Sequence, residues 1–219
     1  MNALPAFWRF GEDPAPLREL LARGGILAIP TESSYGLAAD PRNPVGVEAI
    51  FAAKGRAPIK PLPVVVAGVN QLPELGIAAN SPALAAAARW WPAALSVLLP
   101  FAPSHRDHAK RLPAAAGAAD LAVRVPAHSA LRELLAILGP LTATSANPSG
   151  QPAILDPRAA REFLRGSDAL VIDGGCLPGG APSTLVQWTG AGWRVLRAGS
   201  FPADALFSAT TEANQLERT

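Results

Sequence analysis

The sequence predicts an α/β fold built on a mixed sheet, and three observations carry that prediction. Short apolar runs alternate with segments of helical periodicity along the whole chain. Gly, Pro, Ser and Asp cluster at the boundaries between them. The last two strand-like runs are separated only by Thr189-Gly190-Ala191-Gly192, which makes them a hairpin, whereas helix-length crossovers join the earlier ones.

The elements follow in order. A helix is predicted over Pro16 to Arg23, stopped by Gly24-Gly25, and a buried strand over Ile26 to Pro30. A polar loop leads to a helix over Val45 to Ala53, with Val47, Ile50 and Phe51 on one side. The valines of Pro63 to Ala67 suit a strand covered on both faces. Ser81-Pro82 fits the N-cap and N1 of a helix reaching Trp91, and Leu95 to Leu99 reads as a strand. Leu121 to Val125 is a strand. Ser129 to Leu138 is a helix whose Leu131, Leu134, Leu135 and Leu138 fall at i, i+3, i+4 and i+7. Leu141 to Thr144 is a strand, and Pro157 to Arg165 a helix capped by Asp156. Ala169 to Asp173, Thr184 to Trp188 and Trp193 to Leu196 complete the strands.

At 219 residues, with 49% apolar and 16% charged residues, the chain suits one domain with a sizeable core. No linker long enough to separate two domains is visible, so residues 1–219 are expected to form one unit with its core at 15–202. The polar tail 208–219 is expected to fray. A net charge of +2 does not imply strong non-specific nucleic-acid binding. One cysteine, Cys176, excludes an internal disulfide and suits a reducing compartment. No signal-like start and no apolar run of about 18 residues is present, so the expected location is the cytoplasm, without membrane attachment.

Three polar stretches interrupt the apolar pattern. Pro30-Thr31-Glu32-Ser33-Ser34-Tyr35-Gly36-Leu37 begins where a strand ends, the usual place for ligand contacts in an open α/β sheet. It reads equally as a turn whose hydroxyls satisfy their own backbone. Lys54-Gly55-Arg56 follows a helix and reads either as cations against the helix dipole or as a cationic loop closing on phosphates. Thr142-Ala143-Thr144-Ser145-Ala146-Asn147-Pro148-Ser149-Gly150 is a simple turn or a cradle of backbone N–H groups and hydroxyls. Asp173-Gly174-Gly175 and Gly179-Gly180 before Ser183-Thr184 add another hydroxyl-bearing edge, and no glycine group matches a P-loop or dinucleotide fingerprint. His105 and His108 lack a third metal ligand, His128 at a helix start reads as structural, and no nucleophile elbow is present.

Taken in order, these stretches resemble the YrdC/TsaC family of threonylcarbamoyl-AMP synthases, in its short single-domain form. The match also includes Trp91-Pro92, Val123-Arg124-Val125-Pro126, Ser183-Thr184-Leu185-Val186 and Leu196-Arg197-Ala198-Gly199. The resemblance implies a twisted α/β fold with a concave, positively lined face. It implies a nucleotidyltransferase that joins L-threonine, bicarbonate or CO2, and ATP into threonylcarbamoyl-adenylate and pyrophosphate. The product would serve threonylcarbamoyladenosine formation in tRNA, with partner proteins completing the transfer and an RNA contact on the concave face as a further expectation. Mg2+ would accompany ATP, with no dedicated metal site.

By the same resemblance, Lys54 and Arg56 are the catalytic residues and hold the ATP phosphates, while Ser145, Asn147 and Arg197 complete the ATP site. Thr31, Tyr35, Arg124 and Ser183 would surround threonine, with Arg124 on its carboxylate. Three positions depart from the family pattern. Val65 stands where longer members carry a His, Ala93-Ala94-Leu95-Ser96 replaces Gly-Pro-Leu-Thr, and Asp120 replaces a Thr and would bring a carboxylate near the nucleotide. The alternatives are a non-catalytic RNA-binding relative of the same fold and a carbamoyl-adenylating relative like the HypF maturation domain. The latter is disfavoured because Cys-x-x-Cys motifs are missing.

Overall fold

A computed structural model describes residues 3–55, 60–105 and 112–207. The element order is β1 (Ala6–Arg9), α1 (Ala15–Ala22), β2 (Ile26–Pro30), β3 (Tyr35–Ala38), α2 (Pro44–Ala53), β4 (Val64–Val65), α3 (Pro82–Ala88), β5 (Leu95–Pro100), β6 (Asp120–Arg124) and α4 (Ser129–Leu138). It continues with β7 (Leu141–Thr142), β8 (Thr144–Ser145), α5 (Pro157–Phe163), β9 (Ala169–Asp173), β10 (Thr184–Trp188) and β11 (Trp193–Arg197). The predicted α/β class with mixed pairing holds, and the strands are shared between two sheets.

The first sheet runs β1-β9-β2-β3-β8, and the second β11-β10-β5-β6-β4-β7. Each contains parallel and antiparallel pairs. The first sheet is covered on both faces. Val47, Ile50 and Phe51 of α2 and Ala160 of α5 pack on one side, with Leu17, Leu20 and Leu21 of α1 and Leu131, Leu134 and Leu135 of α4 on the other. Burial on two faces explains why β2 reads Ile-Leu-Ala-Ile-Pro without a polar residue. The second sheet is covered by α3 on one face, where Leu95, Val97, Leu99, Leu121 and Val123 are buried. Strand alternation then turns Ser96 and Arg124 to the opposite face, which is the face that meets the first sheet.

Helix starts follow their side chains. Asn43 accepts from the N–H groups of Val45 and Gly46, and Asp156 from that of Arg158. His128 accepts from the Leu131 N–H through Nδ1, so its role at the head of α4 is structural, as expected. Ser81 occupies the N-cap of α3 without a side-chain cap bond. That helix ends at Ala88 rather than Trp91, because Pro92 disfavours helical backbone at the residue before it.

Two strands were not anticipated. β1 carries exposed Ala6 and Arg9 and pairs only with β9. β3 holds Gly and Ala, residues of low strand propensity, yet all four of its residues are buried between β2 and β8. The run expected as one strand from Leu141 to Thr144 is divided: β7 joins the second sheet beside β4, and β8 joins the first beside β3. The chain therefore crosses between sheets at Ala143. Thr142 secures the crossing, with its hydroxyl accepting from the Ala39 N–H and its own N–H donating to the Ala39 carbonyl, both at 2.9 Å. Among the described residues no helix is long and apolar enough to cross a membrane. Arg56, His108 and the tail 208–219 lie outside the described residues.

Candidate active site

The two sheets enclose a cleft of about 180 Å³, lined from the first sheet by the 31–34 loop, β3 and β8, and from the second by β4, β5, β6 and β11. Six of the expected site residues reach it: Thr31, Tyr35, Arg124, Ser145, Ser183 and Arg197. Val65 also lines it, at the position where a histidine was expected in longer relatives.

The loop between β2 and β3 is a tight turn. The Thr31 hydroxyl donates to the Ser34 carbonyl at 2.7 Å, and the Thr31 N–H donates to the same oxygen at 3.1 Å. The turn reading of this stretch is thus realised, and the loop that the hydroxyl closes also borders the cleft. Gly36 pairs with Ser145, where an added Cβ would lie 3.2 Å from the Thr144 carbonyl. A residue without a side chain lets β8 approach closely and carries Ser145 to the rim.

Tyr35 is buried. Its hydroxyl donates to the Gly175 carbonyl at 2.9 Å and accepts from the Gly174 N–H at 3.0 Å. Burial pushes this phenol up to about 12, and Asp173 adds to the rise while the Gly174 N–H opposes it. Tyr35 thus ties β3 to the Asp173-Gly174-Gly175 loop.

Lys54 and Asn147 stand behind the Ser145 rim rather than among the cleft-lining residues. Lys54 is the C-cap of α2 and is buried. Its ammonium donates to the Ser145 carbonyl at 2.5 Å, to the Asn147 carbonyl at 2.9 Å and to Asn147 Oδ1 at 3.2 Å. Asn147 Oδ1 also accepts from Ser145 Oγ at 2.5 Å, and its amide nitrogen donates to the Gln151 carbonyl. The two motifs that the sequence separates by 91 positions form one interlocked unit.

The opposite wall is cationic and hydroxyl-bearing. Arg197 donates from Nη2 to the Ser183 carbonyl at 2.9 Å and to Ser183 Oγ at 3.2 Å. Ser183 Oγ also shares a 2.8 Å hydrogen bond with Ser96 Oγ. Arg124 pairs with Glu32 of the loop between β2 and β3 at 3.1 Å, joining the two sheets. Burial pulls the Arg124 guanidinium below its ordinary value, Glu32 opposes that pull and Arg197 adds to it.

Ser33, Ser34 and Thr144 lie in stretches singled out from the sequence without an assigned role, whereas Ser96 and the pairing role of Glu32 were not anticipated. Ser96 left a signal: it is the only polar residue in the apolar run Leu95 to Leu99 and marks the face that is not core. Asp120 heads β6 at the end opposite Arg124, takes a 3.4 Å bond from Gln187 Nε2 and is not among the residues that line the cleft. Cys176 is exposed, outside the cleft, with its thiol 3.7 Å from Asp156 Oδ2.

The model of the Sua5/YciO/YrdC family, described as telomere recombination, matches residues 19–199. The threonylcarbamoyl-AMP synthase of Bacillus subtilis (strain 168) is 36% identical over 77% of this chain, which spans 48% of that longer protein. The threonylcarbamoyl-AMP synthase of Pseudomonas aeruginosa (strain UCBPP-PA14) is 35% identical, covering 77% of this chain and 88% of its own. The crystal structure of P. abyssi Sua5 complexed with L-threonine superposes with a TM-score of 0.76 at 30% identity, over 93% of this chain and 59% of that one.

Proposed function

The chain belongs to the Sua5/YciO/YrdC family, and from that premise we propose that its inter-sheet cleft is the active site of a threonylcarbamoyl-AMP synthase. The reaction joins L-threonine, bicarbonate or CO2, and ATP, and releases pyrophosphate. The observation that carries this reading is the convergence of two arginines, Arg124 and Arg197, with the hydroxyls of Thr31, Ser145 and Ser183 in one cleft. Such a set suits a ligand pair bearing a carboxylate, a hydroxyl and phosphates. The P. abyssi relative, named as a complex with L-threonine, has the same fold over nearly the whole of this chain.

In this reading Arg124 takes the threonine carboxylate, with Thr31, Tyr35 and Ser183 around the substrate. Arg197 and the Ser145-Ala146-Asn147 turn take the nucleotide. Lys54 acts through that turn, holding it from behind with its charge, while the phosphates are also assigned to Arg56, which lies outside the described residues. The threonine amine adds to CO2 and loses a proton, giving a carbamate. A carbamate oxygen then attacks the α-phosphorus of ATP, the bond to the bridging oxygen breaks, and pyrophosphate leaves. No protein nucleophile is required, so positioning and charge stabilisation carry the catalysis. Mg2+ would enter with ATP, carried on its phosphates. It would neutralise charge on the leaving pyrophosphate. The adenylate would pass to partner proteins that modify tRNA.

The test is pyrophosphate release from ATP by the purified protein, with threonine and bicarbonate each omitted in turn. Release that needs both is the expected result. Release independent of threonine, or none from folded protein, overturns the reading.

A further inference from the structure

Glu32 lies in the loop between β2 and β3 of the first sheet, and Arg124 ends β6 of the second. Their ion pair therefore bridges the two sheets. Glu32 Oε2 and Oε1 accept from Arg124 Nη1 at 3.1 and 3.3 Å, and Oε1 also accepts from the Ala127 N–H at 3.0 Å. The side chains are only 12% exposed for Arg124 and 21% for Glu32, so the pair is largely withdrawn from water. Among the described residues, Arg124 Nε and Nη2 make no hydrogen bond. A guanidinium has five N–H donors in a planar fork, so one corner is occupied and the Nε–Nη2 edge keeps its donors on a side chain that lines the cleft. That edge has the spacing for a bidentate carboxylate.

We propose that Glu32 is a positioning residue for amino-acid recognition: it grips Arg124 at Nη1 and the following turn at Ala127, and so aims the open Nε–Nη2 edge at the substrate carboxylate. Without Glu32, Arg124 keeps no acidic partner among the described residues while Arg197 still repels it, and the guanidinium swings away from the bidentate orientation. Glu32 does not touch the nucleotide in this assignment, so its effect falls on threonine alone. The inference rests on the proposed synthase reading and falls with it.

The experiment is pyrophosphate release by wild type, Glu32→Gln and Glu32→Asp, titrating threonine at saturating ATP and ATP at saturating threonine. Gln keeps the length and an acceptor for Ala127 but removes the charge, whereas Asp keeps the charge and shortens the reach. Glu32→Gln is expected to raise the threonine KM about tenfold or more while the ATP KM stays within about twofold, with Glu32→Asp between it and wild type. Calorimetric titration with threonine is expected to show the same order. An unchanged threonine KM, or equal rises in both KM values, overturns the role of Glu32 while leaving the synthase reading standing. Should the Gln variant fail to fold, the Asp variant decides on the same criteria. A wild type that releases no pyrophosphate with threonine removes the reading itself.

Discussion

Lys54 and Asn147 meet through two hydrogen bonds: the lysine ammonium donates to both the main-chain carbonyl and the side-chain oxygen of Asn147 while also holding the Ser145 carbonyl. The end of α2 is thereby fastened to the turn after β8. Lys54→Met is expected to lower stability by roughly 1–3 kcal/mol, since buried carbonyls lose their donor, and to abolish pyrophosphate release as the turn relaxes. Thermal melting and the release assay together check this. A variant that melts like wild type would show that the clamp does not hold the turn.

Tyr35 is the only tyrosine, so its titration is directly readable by ultraviolet absorbance. The fold raises its phenol from 10.0 to about 12 and therefore favours the neutral hydroxyl. Its contribution to stability is complete below pH 10 and is lost as pH rises through about 12. Absorbance titration of the folded protein should place the transition well above that of the denatured chain. Coincident transitions would refute the buried double hydrogen bond to Gly174 and Gly175.

Thr142→Val keeps the shape but leaves the Ala39 N–H without its acceptor at the crossing between sheets. The expected cost is about 1–3 kcal/mol in urea unfolding. The Thr142 N–H to Ala39 carbonyl bond persists, so turnover per folded molecule should change little. No loss of stability would mean that water or a local shift satisfies Ala39.

Gly199→Ala would place a Cβ 2.1 Å from the Pro182 carbonyl and 2.5 Å from Thr184 N. Backbone must move, at an expected cost of about 1–3 kcal/mol. The displacement falls on the segment that carries Ser183 and faces Arg197, so the threonine KM should rise along with the loss of stability. Calorimetric melting and the titrated release assay measure both.

Much of the fold was legible because periodicity is a local property. The stripe Leu131, Leu134 and Leu135 faces the core as spaced, and β2, α4, β9 and β10 span the expected residues. β3 was not legible: Gly36 and Ala38 interrupt Tyr35-Gly36-Leu37-Ala38 with poor strand formers, and its pairing with β2 and β8 makes it a strand. The site was legible as motifs but not as contacts. Thr31, Tyr35, Arg124, Ser145, Ser183 and Arg197 share one cleft, whereas Lys54 and Asn147 turn inward to hold the rim and Asp120 lies at the far end of its strand. The pairing of Glu32 with Arg124, and the bond that Ser96 shares with Ser183, became visible only in the tertiary structure.

By itself the sequence determined the class of the fold, the helices and most strands, the cap at Asp156, and an ordered set of motifs specific to one family. Tertiary structure alone decided that the strands divide into two sheets, that Leu141 to Ser145 passes from one to the other, and that Glu32 meets Arg124 across the gap between them. The reason is physical. Helix and strand formation follow from backbone geometry and burial within a few residues, whereas hydrogen bonds and ion pairs between residues about ninety apart depend on how two separately formed sheets are brought face to face.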